Sequence, residues 1–417
     1  MTDLHARTRR RAALPIAVLV TGTLCAVVGV SAVSSTAAST KAATTTTTTA
    51  KTTPVVSHVF QIVLENEEET ASFPNTGTEL DKLAAQGVFL PNYYATGHNS
   101  LDNYLAMISG QAQFSSTSQD CPVYHDTGGT VDAKGIYHPV TPQDSGCVFP
   151  TTVKTLADQL GAAKKSWRGY MQDMGNTPGR ETSPCGQPES NGAAINPAVG
   201  AVDSAFAATA TDQYATRHNP FVYFHTLINK PATGNSKCVN NVFPFARMAS
   251  DLSKSTYALA YTFITPNLCN DGHDKPCKGP GAEGANPGAG GLVSANAFLA
   301  SVVPMIQASA AYKNHGLILI TFDEGSDSDT TSCCGESVFS TGGGKIGAVL
   351  LGPGLHVHRS TCTYNHFSEL HTWEDLFGLT PAVTKINGSD GKGHLAHAGD
   401  AAIVPFTREL TATKSPC

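Results

Sequence analysis

Leu317-Ile-Leu-Ile-Thr-Phe-Asp-Glu324 decides the fold. Six apolar or β-branched residues run without alternation and stop at two acids. A run apolar on both faces fits a strand buried inside a parallel sheet, whereas a half-solvated strand would alternate. Similar compact runs occur at Val55 to Leu64, Phe221 to Thr226, Leu259 to Ile264 and Ile346 to Leu351, each bounded by polar or turn residues. Between them lie helical patterns at Glu79 to Gln86, Leu101 to Ile108, Val153 to Ala163, Ala295 to Ala308 and Phe367 to Leu376. Strands alternating with helices predict an α/β fold: a mostly parallel central sheet with helices on both faces. The Gly/Pro-rich stretch from Lys275 to Gly291 reads as a long loop, and residues 114–150 and 174–200 read as irregular.

In open α/β sheets, ligands gather beyond the carboxyl ends of the strands. The first strand ends in Glu65-Asn66. The Leu259 to Ile264 run continues into Thr265-Pro-Asn267-Leu-Cys-Asn270-Asp271-Gly-His273-Asp274. The quoted run ends in Asp323-Glu324. One acid after a strand means little; three placements at one sheet edge predict a shared, oxygen-rich metal site. Carboxylate and amide oxygens suit Ca²⁺, Mg²⁺ or Mn²⁺, and a histidine admits zinc or iron.

Gly97-His98-Asn99-Ser100-Leu101-Asp102-Asn103-Tyr104 precedes an apolar helical run. Ser100 is a good helix N-cap. The same position lets a serine attack phosphorus while helix N–H groups hold phosphoryl oxygens, and a metal would lower its pKa. Asn103, one turn on, can reach the same phosphate. His225 follows an apolar run and is a candidate phosphate contact or a structural group. His98 adjoins the serine. His394 and His397, in Gly-His-Leu-Ala-His-Ala-Gly, resemble a metal pair but lie in a Gly-rich tail that reads more readily as a solvated loop, and His356 with His358 read as a surface pair.

These segments, together with Asn365-His366-Phe-Ser368 and Glu374-Asp-Leu-Phe-Gly-Leu379, resemble in order and spacing the phosphoesterase family of bacterial and fungal acid phosphatases and bacterial phospholipases C. That family is similar in fold to alkaline phosphatases. The likeness spans about residues 58–380. It implies Glu65, Asn66, Asp323 and Glu324 as metal ligands, joined by Ser100 as nucleophile, with Asn103 holding phosphate. It implies that His273 contacts the phosphoryl group or leaving oxygen, aided by Asp271 and Asn267, with His366 at the same site. The expected activity is that of an exported, metal-dependent phosphomonoesterase working through a phosphoserine, with phosphoinositides among the possible substrates. A phospholipase C-type phosphodiesterase and an inactive surface binding protein are the alternatives.

The chain has 417 residues, a net charge of -6, 41% hydrophobic and 14% charged residues. No dense Lys/Arg run occurs after the N-terminus, so nucleic acid is a poor partner. Arg7, Arg9, Arg10 and Arg11 precede an apolar run to about Val33, so residues 1–38 read as a signal peptide or an uncleaved anchor. Residues 39–54 form a Thr/Ala-rich linker, 55–410 the catalytic domain and 411–417 a tail. The product is expected to be secreted or surface-attached. Setting Cys25 aside leaves ten cysteines, an even number that predicts disulfides; Cys269 with Cys277 and Cys121 with Cys147 are candidate closures.

Overall fold

The computed structural model describes residues 55–140, 146–228, 236–254, 256, 257, 259–279, 289–335 and 342–417. The expected signal segment and linker lie outside the described residues.

Eight strands form the central sheet: β1 (His58–Leu64), β2 (Val88–Leu90), β3 (Trp167–Met171), β4 (Val242–Pro244), β5 (Tyr261–Thr265), β6 (Gly316–Phe322), β7 (Ala348–Leu351) and β8 (His358–Arg359). Their order is β4-β3-β5-β1-β6-β7-β2-β8. Neighbours run parallel except at β7, which is antiparallel to both β6 and β2. The Ile346 to Leu351 run, expected as a parallel strand, is therefore corrected. An apolar run reports burial on two faces and carries nothing about direction. β1 and β6 lie at the centre, and all seven residues of each are buried.

The helices that position the site are α1 (Glu79–Ala84), α2 (Ser100–Ser109), α3 (Leu156–Ala162), α4 (Gly291–Ala308) and α5 (His366–Phe377). α1 packs with α4, while α5 packs with α2 and α3. The starts of α1, α3 and α5 are fixed by capping boxes, Thr78 with Asp81, Thr155 with Asp158 and Asn365 with Ser368. α5 is tied to β1 by a buried polar network. Gln61 Nε2 donates to Glu369 Oε1 (2.5 Å), and Tyr93 donates to Glu369 Oε2 (2.6 Å). Trp373 and Tyr261 both donate to Gln61 Oε1. Satisfying every member of such a network fixes the docking angle of α5, because a slipped helix would leave a buried carboxylate unpaired.

The Phe221 to Thr226 run is also corrected. It forms a 3₁₀ turn over Pro220–Tyr223 and a short helix over His225–Ile228. Pro220 starts that turn, where its fixed φ and missing N–H are tolerated. Phe221 then stacks on Trp167, with ring centroids 4.8 Å apart. Aromatic burial against the sheet looks, in sequence, like burial within it.

All ten cysteines of residues 55–417 are paired: Cys121–Cys147, Cys185–Cys238, Cys269–Cys277, Cys333–Cys334 and Cys362–Cys417. The last bridge holds the end of the segment expected as a tail.

Candidate active site

Register brings the acids together. Leu64 pairs with Phe322, and Asp323 N donates to Leu64 O (2.8 Å), so Glu65 and Asp323 leave adjacent strands at one level. Asn66 turns the chain with φ 46°, a left-handed conformation that asparagine tolerates better than other side-chain-bearing residues. Its backbone N–H donates to Asp323 Oδ1 (3.0 Å) and its Nδ2 to Glu324 Oε1 (3.0 Å). The loop after β5 closes from the other side, where Glu65 N donates to Asp271 O (3.0 Å). Gly272 permits that approach: its φ is +117°, and a Cβ there would stand 2.9 Å from Glu65 O.

Ser100 enters from α2. The cap residue is Asn99, at φ 82°, and Ser100 is the first helical residue, so the N-cap reading of Ser100 is corrected by one position. Ser100 Oγ donates to Glu65 Oε2 (2.8 Å), and Tyr104 OH, one turn on, donates to Glu65 Oε1 (2.7 Å). Asn99 N donates to Glu324 Oε2 (2.6 Å), and His98 Nδ1 lies 3.2 Å from the same oxygen. The expectation that first-turn N–H groups stand free for phosphate needs revision. Leu101 N donates to Asp120 Oδ1 (3.0 Å), a carboxylate that already occupies the positive helix end and faces Arg217 Nε at 3.6 Å.

The site concentrates negative charge out of water. Burial first, then repulsion from Asp323 and Asp271, pushes Glu65 well above the usual carboxylate range. Burial and Asp323 do the same to Glu324. Burial pushes Asp271 up to about 8. His218 is held well below its usual value by burial and by Arg217. It sits between two of the acids, with Nε2 3.2 Å from Glu65 Oε1 and Nδ1 3.6 Å from Asp271 Oδ2. Three buried oxygens here lack a hydrogen-bond partner: Asn66 Oδ1, Asp271 Oδ2 and Asp323 Oδ2. Orphaned buried acceptors among mutually repelling carboxyls are what a cation would satisfy. The donor set therefore fits a metal. Glu65, His218 and Asp271 also offer ligand atoms within 4.8 Å of one another, which adds a nitrogen to the oxygen-rich set.

The other expected residues divide. Asp271 is at the centre. His273 is at the mouth: it is part-exposed, hydrogen-bonded through Nδ1 to Asp274 (2.9 Å), and that bond raises its pKa. Asn103 is redirected. Its Oδ1 accepts from Thr96 N, Thr96 Oγ1 and Gly97 N, and its Nδ2 donates to Gly97 O and Asn99 O. It shapes the loop that presents Ser100 and has no amide atom left over for phosphate. Asn267 is likewise a loop builder, accepting from Cys269 N and Asn270 N and donating to Asp173. His366 lies beneath the acids, with Nε2 2.6 Å from Asp323 O. His225 pairs with Asp126 (2.6 Å), a residue outside the acid cluster.

Sequence reasoning missed His218, Arg217, Asp120 and the role of Tyr104. Tyr104 was legible, since four residues from Ser100 it must share a helix face. His218 was hidden by reading the following run as a strand, which moved attention to its far end at His225.

The chain matches the sequence model of the family described as Phosphoesterase over residues 64–380. It is 25% identical over 374 residues to a phosphatidylinositol-3-phosphatase of Mycobacterium tuberculosis, covering 87% of this chain and 93% of that protein. It is 25% identical to a phosphate-repressible acid phosphatase of Penicillium chrysogenum (59% of this chain, 43% of that one) and to an acid phosphatase of Aspergillus fumigatus (77% and 54%). The chain thus spans about half the length of these fungal relatives. Among solved structures, a protein of the alkaline phosphatase superfamily from Vibrio parahaemolyticus is similar at a TM-score of 0.44 and 11% identity, covering 79% of this chain and 70% of that one. That likeness is loose, and the fold is read from the sheet itself.

Proposed function

Because the chain belongs to the Phosphoesterase family, we propose that it hydrolyses phosphate monoesters, phosphoinositide headgroups among them, with Ser100 as nucleophile. The observation that carries this reading is the Ser100 Oγ to Glu65 Oε2 hydrogen bond of 2.8 Å, made at the sheet edge beside Asp323 and Glu324. Glu65, Asn66, Asp323, Glu324 and Ser100 would hold a divalent ion, with His218 and Asp271 on its nitrogen-bearing side. That ion, of the calcium, magnesium, manganese, zinc or iron kind, would supply positive charge beside the phosphoryl oxygens and depress the pKa of the Ser100 hydroxyl.

The chain's own groups then divide the work. Ser100 Oγ attacks phosphorus, and the bond from phosphorus to the leaving alcohol breaks as the new bond forms. The hydroxyl proton has an acceptor in Glu65 Oε2. Tyr104 holds Glu65 through its other oxygen, and His218 Nε2 lies 3.2 Å from that same oxygen. His273, whose bond to Asp274 favours its protonated form, gives a proton to the leaving oxygen. Water then attacks the phosphoserine, releasing inorganic phosphate and restoring the hydroxyl. The five disulfides support an oxidising, extracytoplasmic setting, with the product secreted or surface-attached.

A substrate panel tests the reading. p-Nitrophenyl phosphate and phosphatidylinositol 3-phosphate should be turned over, and prolonged chelation should abolish both activities. Preference for p-nitrophenyl phosphorylcholine would replace monoesterase by phospholipase C-type diesterase. Metal binding without hydrolysis of any ester would make the chain a binding protein.

A further inference from the structure

A second cluster of ligand-bearing side chains lies at the far end of α5. His371 and Asp375 are four residues apart and share one face of its last turns. His394 comes from the loop that follows and meets them. His394 Nε2 lies 3.1 Å from Asp375 Oδ1, and His371 Nε2 lies 3.8 Å from Asp375 Oδ2. The two imidazoles stack with centroids 3.6 Å apart. His394, for which the sequence favours a solvated loop over a metal pair with His397, is buried, and it meets His371 and Asp375.

The other ring nitrogens are already assigned. His371 Nδ1 lies 2.8 Å from Ala398 O, and His394 Nδ1 lies 2.8 Å from Asp390 Oδ2. A carbonyl and a carboxylate can only accept, so both Nδ1 atoms carry hydrogen. By the same rule the His394 Nε2 that meets Asp375 Oδ1 (3.1 Å) also carries hydrogen, so an ion bound there takes the place of that proton; with it gone, both Nε2 atoms face Asp375 with their lone pairs. This is how metal-binding histidines are oriented: one nitrogen to the ion and the other to a carboxylate or backbone carbonyl. A tetrahedral ion with zinc-like bonds spaces its ligand atoms by roughly 3.3 Å, and one ligand atom from each of the three side chains already lies within 4.8 Å of the others. The backbone fixes the approach of His394, because the next residue, Leu395, donates its N–H to Glu374 Oε1 on α5 (2.9 Å). The site also adjoins the negative end of the α5 dipole, which favours a cation. Asp375 is 41% exposed, so one side is open for a water ligand.

We propose that His371, Asp375 and His394 form a second metal site, specific for a borderline transition ion of the zinc class, that clamps the 387–399 loop onto α5. Two imidazoles and a carboxylate select such an ion over calcium or magnesium, which demand more oxygens. The site is separate from the acid cluster. His366 supports Asp323 at the start of α5, and Asp375 lies nine residues further on, roughly 13 Å along the helix.

The test uses the full chain, stripped of metal and titrated with Zn²⁺, with bound metal counted after gel filtration. Co²⁺ substitution reports imidazole ligation by its visible absorption. His371→Ala and His394→Ala should each lose one equivalent of tightly bound zinc and the zinc-induced rise in Tm. Asp323→Asn should keep the equivalent bound at α5, losing only zinc held at the acid cluster. Asp375→Asn, at an exposed position, gives the same answer if a histidine variant fails to fold. Equal zinc stoichiometry in the wild type and these variants overturns the proposal and leaves a proton, shared between His394 and Asp375, in the place of the ion. Loss of zinc only in Asp323→Asn overturns it equally.

Discussion

At the residue scale, the decisive atom of the proposed mechanism is Glu65 Oε2, which accepts the Ser100 hydroxyl hydrogen bond and would take its proton. Glu65 is itself held by Tyr104 through Oε1. A hydrogen bond to a charged group carries about 1.5–3 kcal/mol. Tyr104→Phe is therefore expected to lower kcat by about 10-fold or more, with KM for p-nitrophenyl phosphate nearly unchanged. Steady-state kinetics check this, and a change confined to KM would place Tyr104 in substrate binding instead. His218→Ala should weaken metal retention, because the ring offers a ligand nitrogen within 4.8 Å of the Glu65 and Asp271 oxygens. Dialysis followed by metal analysis measures it. Glu65, Asp323 and Glu324 were legible in sequence because a strand end has one exit. His218 was not, since a residue in a 3₁₀ turn has no periodicity to announce it.

At the element scale, the turn bearing His218, Thr216–His218, is anchored by Asp203. Thr216 Oγ1 donates to Asp203 Oδ1 (2.9 Å), and Ala205 N donates to the same oxygen (2.8 Å). Burial nevertheless pushes Asp203 up to about 6. An unfolded aspartate titrates near ~3.9. Between those values the native state binds the extra proton, so this contribution to stability is present below about pH 4 and is lost as pH rises to about 6. The slope cannot exceed about 1.4 kcal/mol per pH unit. Asp203→Asn should flatten this part of the stability–pH curve, as urea titrations from pH 4 to 6 would reveal. An unaltered curve would assign the pH dependence to other groups. The helices were legible here to within a few residues, because caps and 3.6-residue periodicity act locally. β2, β3 and β4 were not. β2 and β4 are three residues long, and β3 carries Arg168 and Gly169 inside Trp167–Met171. Arg168 reaches out to Asp251, so a charged side chain sits in a strand without facing the core.

At the scale of the whole molecule, five disulfides and a doubly covered sheet make a rigid frame that presents loops at one edge. Cys362–Cys417 closes 55 residues of chain separation and holds the C-terminal segment, which also contacts Thr361 N through Ser415 Oγ (2.8 Å). Replacing both cysteines by serine should cost about 2–4 kcal/mol, read as a lower urea midpoint with a steeper slope, since the freed chain unfolds to a more expanded state. The α/β class and the active edge were legible at this scale, because buried strands and the residues that end them follow from solvent exclusion. The cysteine partners were not fully legible, since pairing depends on which loops meet in space.

Ser100 is the centre of the proposed mechanism, and one substitution addresses it directly. Ser100→Ala removes the oxygen proposed to bond to phosphorus while leaving α2 with a better helix former. Measured on p-nitrophenyl phosphate with metal present, and with Tm recorded on the same sample, its kcat should fall by at least the order of 10³-fold at an unchanged Tm. Turnover within a few-fold of the wild type would contradict the account, because the phosphoryl group would then be passing directly to water.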